Sequence, residues 1–162
     1  MHTSIKDNPM MLRQIIMDHY KSPRNKRETT DERYTSIHMA SSSCIDDIYV
    51  QLLIEDNVIK DCLWHGVSCA ISTAATSIMT ELVKGETKER AQYLFENFNN
   101  MMNDKPFDED ALGEAIAFIN TNKQPSRITC ATIGWRGLED LLEDNHAHKH
   151  AHKHTNKHEE DK

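Results

Sequence analysis

The strand-forming sequence in this chain falls between Tyr34 and His65, and helical spacing takes over on either side of it. The run Asp47-Ile48-Tyr49-Val50-Gln51-Leu52-Leu53-Ile54 is rich in β-branched and aromatic residues. Glu55-Asp56-Asn57 follows as a turn, and Val58 to His65 returns, which makes a hairpin. A shorter alternating stretch, Tyr34 to Met39, adds an edge strand. Strands first and helices afterwards indicate an α+β fold: a three-stranded antiparallel sheet with helices packed on one face.

The helices announce themselves by spacing and by their ends. Leu12, Ile15, Ile16, His19 and Tyr20 share a face of a helix over Pro9 to Lys21, which Ser22-Pro23 stops. Lys21 to Glu32 is a polar loop. Ala70 to Val83 reads as a buried helix ending at Lys84-Gly85. Its small residues, Ala70, Ser72, Ala74, Ala75 and Ser77, permit close approach to another element. Thr87 caps a third helix carrying Ala91, Leu94, Phe95, Phe98, Met101 and Met102. A further helix is expected over Asp108 to Thr121. Pro125 reads as a break, with a last helix from near Cys130 to about Glu143.

From Asn145 the composition changes abruptly to His, Lys, Ala and acids. Residues 1–144 are therefore read as one domain and 145–162 as a low-complexity, disordered, histidine-rich tail. Its imidazoles, His146, His148, His150, His152, His154 and His158, suit loose binding of Zn²⁺, Ni²⁺ or Co²⁺. A purification tag is the competing reading.

At 162 residues with 38% hydrophobic content the chain can bury a core. No apolar run approaches a membrane span, and Met1-His2-Thr3-Ser4-Ile5-Lys6 lacks the stretch of a secretory signal. A cytoplasmic, reducing address is the expectation. The formal net charge of −7 argues against a nucleic-acid surface. Five scattered glycines supply no phosphate loop, which argues against a nucleotide enzyme.

Three cysteines in three separate segments, Cys44, Cys69 and Cys130, carry the chemistry, with Asp46 two residues beyond the first. In extended backbone Cys44 and Asp46 project to one side. Cys69 directly precedes a helix and Cys130 is placed similarly, where the positive end of the helix favours thiolate. Three thiolates and a carboxylate would complete a tetrahedral shell for Zn²⁺, and the same donors suit iron in a cluster. There is no C-x-x-C pair, so a second reading stays open: cysteines buried as small hydrophobes. Cys62, inside the second hairpin strand, is assigned to packing.

The ordered motifs around these cysteines resemble the iron–sulfur cluster assembly proteins of the NifU N-terminal/IscU-like family, and specifically its SufU branch. They are Ile16-Met17-Asp18-His19-Tyr20-Lys21-Ser22-Pro23-Arg24-Asn25, Cys44-Ile45-Asp46, Gly66-Val67-Ser68-Cys69-Ala70-Ile71-Ser72, Glu81-Leu82-Val83-Lys84-Gly85 and Arg127-Ile128-Thr129-Cys130-Ala131-Thr132-Ile133-Gly134-Trp135. The long stretch between Lys84 and Cys130 resembles SufU. Thr129 stands where IscU has histidine, and a Leu-Pro-Pro-Val-Lys motif is absent. Where the family has Asn-Pro-Thr-Cys-Gly-Asp-Arg, this chain has Ser41-Ser42-Ser43-Cys44-Ile45-Asp46-Asp47, and the departures that bear on the site are Ile45 for glycine and Asp47 for arginine.

The resemblance implies a zinc-dependent persulfide acceptor, a sulfur relay served by a cysteine desulfurase and not a stand-alone enzyme. Cys44 would accept the sulfur. Cys44, Asp46, Cys69 and Cys130 would hold the metal, and Arg127 would support the site by charge-assisted hydrogen bonds. The alternative is a scaffold on which a [2Fe–2S] cluster is assembled and passed to a downstream carrier or apo-proteins. His19 and Tyr20 are read as packing or partner-surface residues, and His65 as a strand end.

Overall fold

The computed structural model describes residues 5–42 and 44–146. The histidine-rich tail from residue 147 onward lies outside the described residues. Helix α1 (Pro9–Lys21) begins with Pro9 after an Asn8 cap whose side chain accepts from the Met11 amide. Strands β1 (Thr35–Ala40), β2 (Asp47–Glu55) and β3 (Val58–Val67) form an antiparallel meander in the order β1-β2-β3. Asp56 and Asn57, at φ of 54° and 65°, make the two-residue turn with positive φ at both positions that matches strand twist.

Helices α2 (Ala70–Val83), α3 (Lys88–Met102), α4 (Glu109–Leu112) and α5 (Pro125–His146) follow, joined in part by 3₁₀ turns. Thr87 caps α3 as expected, its hydroxyl accepting from the Arg90 amide at 3.1 Å. Two expectations are corrected. The helix expected over Asp108 to Thr121 survives only as α4, because Gly113 takes φ +50° and the chain continues as 3₁₀ turns Gly113–Phe118 and Thr121–Lys123. Pro125 starts a helix instead of breaking one, since its ring presets φ for the first turn and it has no amide hydrogen to leave unpaired. Asn145 and His146 therefore lie on α5.

The sheet turns Ile37, Ile48, Val50, Leu52, Cys62 and Trp64, all buried, toward α2 and α5. Small residues set the spacing. A Cβ on Gly134 would meet Thr76 Oγ1 of α2 at 2.5 Å, and one on Gly137 would meet Met39 Cγ of β1 at 3.0 Å. Helix α5 thus lies close to α2 on one side and to the sheet on the other. Beyond it Phe98 stacks on Trp135 at 4.8 Å and meets Phe118 edge-on at 6.2 Å, tying α3 to the same core. Cys62 is fully buried, as its packing role requires, and burial pushes its thiol pKa well above the ordinary range.

The motif at the end of α1 is structural. His19 is 1% exposed and bonds Ser77 Oγ at 2.7 Å and Glu114 Oε1 at 2.8 Å, so the packing reading holds. Arg24 pairs with Asp18, and its carbonyl accepts from Trp64 Nε1 at 3.0 Å. Asn25 adopts φ 59° and donates to Thr80 and Glu81 of α2. Among the described residues no helix is long and apolar enough to cross a membrane.

Candidate metal centre

Three elements bring the predicted ligands together at one end of the sheet. The loop between β1 and β2 supplies Cys44 and Asp46, the start of α2 supplies Cys69, and α5 supplies Cys130. The decisive local residue is Gly66. At φ +124°, a Cβ there would lie 2.3 Å from the Asp47 carbonyl oxygen, so only glycine lets the end of β3 run this close to the start of β2. That approach sets Cys69 beside Asp46.

Potential ligand atoms of Cys44, Asp46 and Cys130 lie within 4.8 Å of one another. Cys69 is not in that group. Its sulfur turns toward the first turn of α2, where it caps the Ser72 amide at 3.5 Å. It nevertheless lines the same cavity of about 340 Å³ as Cys44, Cys130 and Arg127. Cys130 departs from expectation: it lies five residues inside α5, 8% exposed, and not ahead of a helix. Burial, then contacts with Cys44 and Cys69, push its thiol pKa well above the ordinary range.

Asp46 is the most revealing member. It is 2% exposed, and among the described residues no basic side chain pairs with it. Its Oδ1 accepts from the Cys69 amide at 2.9 Å and from Ser72 Oγ at 2.6 Å, while Oδ2 takes the Cys44 thiol at 3.0 Å. A buried carboxylate beside three thiols lacks a positive charge, and a thiophilic divalent cation supplies one. The donor set fits zinc.

Arg127 is exposed at the mouth of the cavity, and Asp46 is bonded by Ser72 and the Cys69 amide instead of by its guanidinium. His65 points to the opposite sheet face, stacked on Tyr49 at 4.9 Å in a row completed by His38. Tyr20 is exposed on α1. Sequence reasoning missed Ser72, which it gave only as a small residue of α2 and the last position of the Cys69 motif, although its place three residues after the capping cysteine is a capping spacing.

The departures at 45 and 47 also resolve. Ile45 is not among the residues with positive φ and stands 64% exposed. Asp47 turns to the other sheet face and bonds His38 Nε2 at 2.6 Å, so its charge is directed away from the centre.

Residues 11–131 match the model of the NifU-like N terminal domain family. The chain is 37% identical over 130 residues to the zinc-dependent sulfurtransferase SufU of Bacillus subtilis (strain 168), covering 80% of this chain and 87% of that one. It is 31% identical over 134 residues to the iron–sulfur cluster assembly scaffold protein IscU of Thermotoga maritima, covering 83% and 94%. The crystal structure described as an iron–sulfur cluster assembly scaffold protein for the SUF system (FiSufU), from Fervidobacterium islandicum AW-1, superposes with a TM-score of 0.74 at 32% identity, over 80% of this chain and 94% of that one. With the family model spanning most of the chain and the centre assembled from its motifs, this protein belongs to the NifU-like N-terminal domain family and closely matches its SufU and IscU members.

Proposed function

We propose that this protein is a zinc-dependent sulfur relay of iron–sulfur cluster assembly, accepting persulfide sulfur from a cysteine desulfurase. The observation that carries the reading is the buried Asp46 carboxylate, paired with no basic side chain among the described residues, beside Cys44 and Cys130 in a cavity that Cys69 shares. The proposed ligands are Cys44, Asp46, Cys69 and Cys130. A bound zinc ion would supply the charge that keeps the sulfurs deprotonated. The likeness to a zinc-dependent sulfurtransferase supports the same assignment.

Cys44 is the proposed acceptor because it alone of the three lies on an irregular loop, whereas Cys69 and Cys130 are fixed by α2 and α5. Its thiolate attacks the outer sulfur of the donor persulfide. The donor S–S bond breaks, the donor cysteine leaves as thiolate, and a new S–S bond forms on Cys44. One bond replaces another, so no external oxidant or reductant is needed. Arg127, which lines the mouth, would favour the persulfide anion.

The test is metal analysis of a chain ending at His146, where α5 ends, which removes most of the tail imidazoles from the count. About one tightly held zinc is expected from the four-ligand shell. Cys62→Ser should leave it unchanged, while Cys69→Ser and Cys130→Ser should lose it. Stoichiometric zinc in those last two variants would sink the assignment. Cys44→Ser should abolish stimulation of desulfurase turnover.

The second reading, a scaffold for a [2Fe–2S] cluster, is supported by likeness to a protein named as a scaffold. It uses the same four residues. Anaerobic purification separates the two: brown protein with visible charge-transfer absorption supports the scaffold, and colourless zinc protein the relay.

A further inference from the structure

We infer that Ser72 is a positioning residue that makes Asp46 a one-oxygen ligand and so fixes the centre at four coordination. The inference rests on the zinc reading above and deepens it. A carboxylate offers about four lone-pair sites, two on each oxygen. Asp46 Oδ1 has both of its own engaged, by Ser72 Oγ at 2.6 Å and by the Cys69 amide at 2.9 Å. Among the described residues Oδ2 accepts only from the Cys44 thiol, at 3.0 Å, a proton that metal binding would displace. Asp46 can therefore approach a cation through Oδ2 alone.

Ser72 Oγ has other neighbours, the Cys69 carbonyl at 3.2 Å and the Cys69 sulfur at 3.4 Å. The hydroxyl has a single hydrogen, and the short contact to an ionised oxygen is the strongest of the three. The residue is fully buried, so water does not substitute readily for the hydroxyl. It also stands on the first turn of α2, a rigid element that fixes the geometry better than a loop does. One side chain thus controls the denticity of Asp46 while touching the sulfur of a second ligand.

Ser72→Ala frees a lone pair on Oδ1. Asp46 can then bind through both oxygens, and the shell passes from three sulfurs and one oxygen toward five coordination. Cobalt(II) in the full-length chain reads this directly, because its ligand-field bands are intense in tetrahedral sites and weak in five-coordinate ones. One equivalent is added, and metal held by the tail is removed with a weak chelator. Wild type should show thiolate-to-cobalt charge transfer with intense ligand-field bands. Ser72→Ala should keep the charge-transfer band, lose ligand-field intensity severalfold and bind zinc about 10- to 100-fold more weakly. Ser72→Thr, which keeps the hydroxyl, should restore the intense bands.

X-ray absorption of the zinc-loaded wild-type chain gives a check that needs no variant: one oxygen beside three sulfurs is expected. Two oxygens there, or an unchanged ligand-field spectrum in Ser72→Ala, would overturn the role of Ser72. Absence of thiolate-to-cobalt charge transfer in wild type would instead overturn the metal-centre reading itself.

Discussion

Asp46, the last residue of the loop, and Asp47, the first of β2, are neighbours in sequence with opposite environments. Asp46 turns into the centre, and Asp47 meets His38 on the other side of the sheet. Asp46 is also the one hard oxygen donor among sulfurs, which makes it the natural exchange point. Asp46→Ala should keep substantial metal through the three cysteines but stimulate the desulfurase poorly and prolong the lifetime of any reconstituted cluster. Side-by-side turnover and cluster decay in air check this. Wild-type stimulation with unchanged lifetime would make Asp46 a bystander.

Tyr34 gives a second prediction at this scale. Its hydroxyl donates to Asp61 Oδ2 at 2.6 Å, and that bond, then burial and the Asp61 charge, raises its pKa from 10.0 to about 12. The protonated phenol is therefore favoured by folding. Its contribution to stability is complete below pH 10 and lost as pH rises through about 12. Tyr34→Phe should be less stable at neutral pH and show a shallower fall in Tm between pH 10 and 12. Identical slopes in the two proteins would refute the coupling.

Among the elements, two glycines do what no other residue could. Gly66→Ala combines a left-handed φ with a Cβ 2.3 Å from a backbone oxygen that cannot swing away. It should cost about 2–4 kcal/mol and, by pushing Cys69 from Asp46, lower zinc affinity as well. Gly134→Ala is a cleaner test of packing. Helix propensity alone would favour alanine by about 1 kcal/mol. The clash with Thr76, buried and stiff at χ1, outweighs it, and a net loss of about 1–2 kcal/mol in denaturant unfolding is expected.

For the whole molecule, the centre joins a loop, the start of α2 and the second turn of α5, elements held in register by the core and by the ligands themselves. Zinc should therefore act as a tertiary cross-link. At a free concentration a thousand times Kd it stabilises by about 4 kcal/mol. Chelation should lower Tm and raise amide exchange first around residues 44–46 and the opening turns of α2 and α5, leaving the β2–β3 hairpin protected. Uniform loss of protection would argue that the metal only supports the global fold. The tail should add weak metal equivalents to the full-length chain, released by dialysis, without altering the tight site.

The β2–β3 turn at Asp56-Asn57, the N-cap at Thr87 and the stop at Gly85 were legible because each is local chemistry, satisfied within a few residues. The motifs around the cysteines likewise pointed to one shared site. Where α5 begins was misread, because a proline is compatible with either a break or a first turn and only packing against the sheet and α2 selects the second. The length of the helix after Asp108 depended on the conformation of one glycine, Gly113, which its neighbours in space determine. The sequence by itself determined which residues are the candidate metal ligands, since the motifs that resemble the family single out three thiols and one carboxylate. Tertiary structure alone decided that Asp46 is buried, that Ser72 holds its Oδ1 and that Asp47 and His65 face away. Those outcomes depend on strand register and on the close approach at Gly66, which are contacts between segments far apart along the chain.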